Sequence, residues 1–271
     1  MREDAKDFVV RSEHTAEIEE TPDYRGYHNP PLALGTPYHG SIAEPWELGE
    51  RIGPRELANL ALIRALDIVV SLVLLIILLP VIVAAAIAVR LNSPGPAFFR
   101  SERVGWNGER LRMLKFRKMR EDASGPSLTM ADDERFTSIG GLLSKLKIDE
   151  IPQLWHVLCG QMSLVGPRPE TPEFIALHHR EYERILRVRP GITGLSQIAF
   201  AEESRILDTQ NPVDHYVGRI LPQKAGLDLM YAERRSLVLN ARILGWTAAA
   251  VIMRRQVAVH RASGKMNLRK R

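Results

Sequence analysis

The chain has 271 residues, 45% of them hydrophobic, enough for one substantial core with an appendage. A single cysteine, Cys159, excludes an internal disulfide framework and a cysteine zinc cluster, and is read as a small buried apolar side chain. The net charge of +5 conceals an asymmetry: residues 1–50 carry 4 basic and 11 acidic side chains, leaving 33 and 21 for the rest, a balance of +12. Such a body suits anionic headgroups or phosphates. Nucleic acid is disfavoured, because the basic residues are dispersed, aromatics are only 6% and no recognised motif is present.

In chain order, residues 1–50 are acidic, punctuated by Asn29-Pro30-Pro31, Gly35-Thr36-Pro37 and Glu44-Pro45, and read as a mobile tail. No basic stretch leads into an apolar one there, so no cleavable signal peptide is expected. Ile68 to Val89 is uncharged and apolar except for Ser71. As a helix, about 22 residues would cover roughly 33 Å, enough for a bilayer core. Pro80 sits near its middle, where it removes a helix hydrogen bond. Arg51, Arg55 and Arg64 precede the segment, and Arg90, Arg100 and Arg103 follow it, so both flanks carry the charge of a cytoplasmic side. A helix–break–helix over 56–91, entering and leaving one leaflet, satisfies both features. A kinked single pass remains the alternative.

Residues 92–255 then read as a cytoplasmic catalytic domain. Asn92-Ser93-Pro94-Gly95-Pro96 is a turn, and Gly105-Trp106-Asn107-Gly108 joins two short strands into a hairpin. Alternation along Arg110 to Arg117 puts Arg110, Arg112 and Arg117 on accessible faces. Residues 122–134 form a polar loop. Helical patterns cover Ile139–Leu146, Glu173–Val188 and Asp228–Arg255, the last suited to a membrane interface with Trp246 near the headgroups. His178 and His179 lack partners at ligand spacing and read as surface residues. Residues 256–271 read as a basic tail.

Two motifs carry chemistry. Lys147-Ile148-Asp149-Glu150-Ile151-Pro152-Gln153-Leu154 sets adjacent carboxylates beside a proline, and Gly166-Pro167-Arg168-Pro169 braces an arginine between prolines. A carboxylate can attack phosphorus while its neighbour serves as base or metal ligand. A braced guanidinium suits a fork for anions. The competing structural reading makes Asp149 a helix N-cap, with Glu150 favourable to the helix dipole.

The ordered set of these strings resembles the bacterial sugar transferases, the monotopic polyprenol-phosphate glycosylphosphotransferases. The shared elements are the apolar segment with Pro80, Gly95-Pro96-Ala97-Phe98-Phe99, Arg103-Val104-Gly105, Lys115-Phe116-Arg117-Lys118-Met119, the Asp149-Glu150 string, Gly160 through Pro169, and Arg189-Pro190-Gly191-Ile192-Thr193-Gly194. Together they cover roughly residues 60–250. The resemblance implies an α+β, mainly α, monotopic membrane protein with a re-entrant hairpin, interfacial amphipathic helices and a small β-hairpin. Its location would be the cytoplasmic face of a bacterial inner membrane.

The activity so implied is transfer of a sugar 1-phosphate from a nucleotide sugar, usually a UDP-sugar, to a polyprenyl phosphate, with release of UMP. This starts a lipid-linked glycan such as an exopolysaccharide, capsule or O-antigen. Asp149 would form a covalent phospho-sugar intermediate, Glu150 would activate the lipid phosphate, and Mg2+ would bridge Asp149 and the diphosphate. Arg168, held by Pro167 and Pro169, would meet the nucleotide, and Lys115 and Arg117 would face the phosphates. A homo-oligomer is compatible with this class.

This chain also departs from the family pattern. Leu79 precedes Pro80 where serine is common, Ser144 stands where an arginine is common, Ala199-Phe200-Ala201 replaces an Asn-Gly-Arg turn, and Asn240 replaces an aspartate. The N-terminal membrane bundle of larger members is missing from this sequence, which reads as a minimal catalytic form. The altered turn leaves a rival reading, a membrane-anchored scaffold with altered catalysis.

Overall fold

The computed structural model describes residues 53–123, 125, 128–130, 133–208, 210–253, 256–260 and 263–268. The acidic tail assigned to 1–50 lies outside the described residues. The chain begins with helix α1 (Pro54–Asn92) and a hairpin of β1 (Phe98–Val104) and β2 (Arg110–Phe116). Short helices α2 (Gly140–Lys145) and α3 (Leu154–Leu158) lead to β3 (Ser163–Val165), α4 (Pro172–Leu177), α5 (His179–Ile185) and β4 (Gly191–Thr193). Then come α6 (Leu195–Ala199), α7 (Glu203–Ile206), α8 (Pro212–His215), α9 (Leu221–Arg234), α10 (Leu237–Met253), β5 (Val257–Val259) and β6 (Met266–Leu268). The class is mainly helical with three two-stranded sheets among the described residues.

α1 is one helical element that runs through Pro80, in place of the expected helix–break–helix. A single proline removes one donor, and a helix can continue by bending around it. The helix has two dissimilar sides. Ile63, Asp67, Ser71, Ala85 and Val89 are buried against the body, while Ile76, Ile77 and Leu79 are exposed. The first three recur every four residues, so they share one face. Near the start of α1, Arg64 donates to the Val157 and Leu158 carbonyls at 2.6 and 2.9 Å. Asp67 accepts from Leu164 N–H at 3.0 Å and from the Ser163 hydroxyl at 2.8 Å. At the other end Val89 and Ala85 pack with Phe116 and Leu143, and Asn92 donates to Ser138. Both ends of the apolar helix are therefore fastened to the same body.

The hairpin forms as its alternation predicts. β1 and β2 pair antiparallel from Phe98↔Phe116 to Val104↔Arg110, with Leu111 and Met113 buried and Arg110 and Arg112 exposed. Asn107 and Gly108 supply the positive φ its turn requires, 53° and 77°. β3 and β4 form a parallel pair, so the two glycine- and proline-rich motifs become neighbours. Gly166 N–H donates to Thr193 O at 2.9 Å and Gly191 N–H to Pro167 O at 2.8 Å. A Cβ on Gly191 would lie 2.0 Å from Gly166 N, so this backbone contact admits no side chain.

Four expectations need correction. Glu173–Val188 forms two helices, α4 and α5, because His178 between them leaves helical geometry at φ −131°, ψ 44°. The pattern over 228–255 belongs to α9 and α10, parted at Arg235. Residues 256–271 are not simply a tail, since β5 and β6 form a hairpin whose Val257, Val259 and Met266 join the core. Cys159 is exposed, against its expected burial, because it follows α3 on the surface turn.

Candidate active site

The carboxylate pair sits on a 3-10 turn, Ile148–Gln153, entered through Lys147 in the left-handed region at φ 58°. This geometry removes the N-cap reading of Asp149, which lies inside the turn and caps no backbone N–H. Pro152 is the fifth of the six residues of this turn, where its missing N–H costs one hydrogen bond. Asp149 is 2% exposed. Its Oδ2 lies 3.2 Å from Lys118 Nζ, and Lys118 also donates to Ser144 Oγ at 3.2 Å. The position where relatives were expected to carry arginine thus holds a hydroxyl that steadies the lysine. Asp149 Oδ1 is buried and meets no hydrogen-bond donor. A buried carboxylate oxygen without a partner is costly, which points to a group that the folded chain itself does not supply.

Glu150 is differently placed. Lys115 Nζ approaches it at 3.3 Å and Arg168 Nη2 at 3.7 Å. Burial works to raise the Glu150 carboxyl, but Lys115 and Arg168, with Lys147 and Lys118 behind them, outweigh it and hold it well below the usual range. Burial lowers Lys115 to about 8, opposed by Glu150 and assisted by Arg168, Arg103 and Lys118. For Arg168 burial is again opposed and overcome, here by Glu150, Glu203 and Glu170, so the guanidinium stays charged. Lys115 is positioned through its neighbour: Leu114 N–H donates to His156 Nε2 at 3.0 Å, and His156 Nδ1 lies 2.6 Å from Gln161 Oε1.

Arg168 leaves the buried junction of β3 and β4, between buried Pro167 and Pro169. Gln197 fastens that junction, donating toward the Gly166 and Gly191 carbonyls at 3.3 Å each. Arg117 takes a different place from the one expected. It is 6% exposed and donates to the Pro94 carbonyl and, at 2.9 Å, to Ser93 O. The residue after a strand ending on buried Phe116 is drawn inward, and its guanidinium clamps the end of α1 while the residue still borders the cleft. Pro80 lies on the exposed side of α1, outside the cleft wall.

A second polar group escaped sequence reading. Glu170, following Pro169 and 4% exposed, accepts from Tyr216 OH at 2.8 Å and from Lys224 Nζ at 2.9 Å. Lys224 also donates to Tyr216 OH at 2.7 Å and to Glu203 Oε2 at 3.0 Å, which uses all three of its protons. Arg103 Nη1 stands 4.0 Å from Glu170 Oε2. Four residues along α9 from Lys224, Asp228 is buried and its carboxyl is pushed up to about 7, against hydrogen bonds from Ser196 and the Arg168 backbone. The Lys224, Asp228 and Tyr231 spacing on one face of α9 was the available signal, because buried polar residues at i, i+4 and i+7 need partners inside.

Asp149, Glu150, Lys115, Lys118, Arg168, Arg103, Glu170, Tyr216 and Lys224 meet around one cleft of about 2340 Å³, whereas Pro167, Pro169, Asp228 and Tyr231 stand behind its wall. That volume exceeds the few hundred to about 1,000 Å³ of a single small-ligand site. Phe98, Phe99 and Val251 add apolar wall to it. Cations and carboxylates interleave there over an orphaned buried oxygen, beside a long apolar helix, and the cations could offset the charge of a phosphate-bearing ligand. The family model for bacterial sugar transferases matches residues 58–254, and the chain belongs to that family.

Named relatives sharpen the comparison. The chain is similar to the UDP-glucose:undecaprenyl-phosphate glucose-1-phosphate transferase of Xanthomonas campestris pv. campestris, 36% identical over 197 residues, 69% of this chain and 38% of that protein. The exopolysaccharide production protein PSS of Rhizobium leguminosarum bv. phaseoli is 36% identical over 209 residues, 72% of this chain and 98% of its own. The UDP-N-acetylgalactosamine-undecaprenyl-phosphate N-acetylgalactosaminephosphotransferase of Aeromonas hydrophila is 33% identical over 196 residues, 70% of this chain and 43% of that protein. The chain therefore spans less than half of two of these relatives and nearly all of the third.

Proposed function

We propose that the protein transfers a sugar 1-phosphate from a UDP-sugar to a polyprenyl phosphate, releasing UMP and starting a lipid-linked glycan such as an exopolysaccharide. The observation that carries this reading is Asp149: a buried carboxylate, one oxygen held by Lys118, the other unpartnered, at the wall of a cleft rich in cations. Asp149 attacks the phosphorus that bears the sugar, and the bond to UMP breaks as the new O–P bond forms. Lys115, Lys118 and Arg168 offset the charge gathered on the diphosphate. In the second half, an oxygen of the lipid phosphate attacks the same phosphorus and the Asp149 carboxylate leaves. The relatives act on different sugars by name, so the sugar stays open.

Mg2+ fits this donor set, since it takes one or two carboxylates and completes its shell with phosphate oxygens and water. Among the described residues no three His, Cys, Asp or Glu side chains group at metal spacing, so Asp149 would share the ion with the diphosphate. Bound there, it would reduce the repulsion between carboxylate and diphosphate.

Glu150 is assigned a role other than the expected base. Its pairs with Lys115 and Arg168 favour the ionised form and make it a poor proton acceptor. A phosphate monoester has its second pKa near about 6, so the lipid phosphate needs little help at neutral pH. Glu150 instead orients the two cations.

The membrane placement belongs to the same reading. Because Arg64 ties one end of α1 to the body and Arg117 ties the other, a crossing that left the ends on opposite sides would have to divide the body. The proposal is a monotopic protein on the cytoplasmic face of the bacterial inner membrane, with the continuous α1 bending at Pro80 within one leaflet so that both its ends stay on the same side. Release of UMP from a panel of UDP-sugars in the presence of undecaprenyl phosphate tests the function. No release from any of them rejects it and favours a scaffold.

A further inference from the structure

Several carboxylates at the cleft already take two partners on one oxygen. Glu150 faces Lys115 and Arg168, Glu170 takes two hydrogen bonds on Oε1, and Glu202 Oε2 receives Gln256 and Arg205. Glu203, at the start of α7, has a side chain with one hydrogen-bond partner among the described residues. Its Oε2 is fixed by Lys224 at 3.0 Å, while Oε1 accepts no hydrogen bond among the described residues. The side chain is 26% exposed and lines the cleft. Lys224 is itself only 2% exposed and locked by Glu170 and Tyr216, so the core sets the position of Glu203. A preorganised acceptor of this kind loses little entropy when a donor binds.

Charge decides what it can receive. A fixed carboxylate repels phosphate, so the diphosphate belongs with Lys115, Lys118, Arg168 and Arg103. The neutral, hydroxyl-bearing parts of the same substrate are what a carboxylate can bind, since hydroxyls donate. Glu203 also lies two residues after Ala199-Phe200-Ala201, where Phe200 is buried and contributes no polar group. We infer that Glu203 reads a hydroxyl of the nucleotide sugar, accepting its hydrogen bond on Oε1, and so helps to set which nucleotide sugar is used. This rests on the reading of the preceding subsection. The hydroxyl is on the transferred sugar or on the ribose, and the test separates them.

The experiment measures UMP release by the full chain with the best substrate among UDP-glucose, UDP-galactose, UDP-N-acetylglucosamine and UDP-N-acetylgalactosamine. It is repeated with monodeoxy versions of that sugar and with the 2′-deoxyuridine analogue. Glu203→Ala should lower kcat/KM by about 10- to 100-fold on the intact substrate, the range for a hydrogen bond to a charged group. Glu203→Gln should fall between, since its amide still offers an acceptor. On the one analogue that lacks the hydroxyl read by Glu203, parent and Glu203→Ala should perform alike. A deoxy sugar giving that result assigns the sugar, and the deoxyribose assigns the ribose. Equal losses on every substrate, or no loss, in an active parent overturn the role of Glu203 alone. A parent that releases UMP from none of the substrates overturns the function and this inference with it. Should Glu203→Ala unfold, the same comparison with Glu203→Gln decides.

Discussion

Lys115 links the structure to a pH profile. Burial lowers its ammonium from 10.5 to about 8, with Arg168, Arg103 and Lys118 pushing the same way and Glu150 opposing. If its charge is required at the diphosphate, the active form is the protonated one. Activity should therefore be full below pH 8 and lost above it. At one pH unit above the midpoint about 90% of the lysine is neutral, so kcat/KM should fall roughly tenfold per unit thereafter. The quantity to follow is kcat/KM for the UDP-sugar by UMP release from pH 6 to 10, because it reports the free enzyme. Lys115→Arg keeps the charge throughout this range, since a guanidinium does not titrate there. The variant should be weaker at its optimum, but its alkaline limb should move beyond pH 10. A parent flat to pH 10, or a Lys115→Arg variant with the limb still near 8, would refute the reasoning.

Further outcomes follow from other contacts. Arg168→Lys keeps charge but loses the fork, so UDP-sugar use should weaken by roughly ten- to a hundredfold with membrane binding unchanged; parental kinetics remove Arg168 from the site. Asp228 is protonated in the fold up to about 7 but ionises near 4 when unfolded, so its contribution is present below pH 4 and lost as pH rises to 7. Thermal unfolding in detergent should show Asp228→Asn lacking that decline, on the order of 4 kcal/mol across the window; matching pH dependence in parent and variant contradicts it. For α1, Arg55→Cys and Arg100→Cys in a Cys159→Ser background should both be labelled only by reagents that reach the cytoplasm. Labelling from opposite sides would show a spanning helix.

What the sequence made legible was local. The Gly105-Trp106-Asn107-Gly108 turn and the alternation that follows it from Arg110 identified the hairpin, because one face of β2 packs on the core and the other meets solvent. The adjacent carboxylates and the proline-braced arginine were visible as strings. Their ion pairs were not, since Glu150 finds Lys115 across 35 residues through a tertiary contact. Arg117 was misplaced because strand alternation does not extend past Phe116, where the side chain turns to the end of α1. Glu170 and Lys224 stand 54 residues apart, and nothing in either local pattern announces the other. The break after Arg234 is likewise fixed from a distance, since Leu237 N–H donates to Asn59 of α1 at 3.0 Å. Asn240 has a similar tertiary explanation: it is buried, with Oδ1 2.8 Å from Tyr231 OH, and that hydroxyl is 2.9 Å from Val165 O.

The central claim is that Asp149 takes the phospho-sugar from the nucleotide before lipid is needed. The direct measurement uses a UDP-sugar labelled in the phosphate next to the sugar, incubated with the protein and Mg2+ without polyprenyl phosphate, followed by intact-protein and peptide mass analysis. The account predicts release of UMP, a mass increase of one phospho-sugar on the peptide carrying Asp149, and its disappearance on adding undecaprenyl phosphate. Asp149→Asn, which keeps the shape but lacks the nucleophile, should show neither the adduct nor turnover. An adduct on another residue, or full turnover in Asp149→Asn, would contradict it.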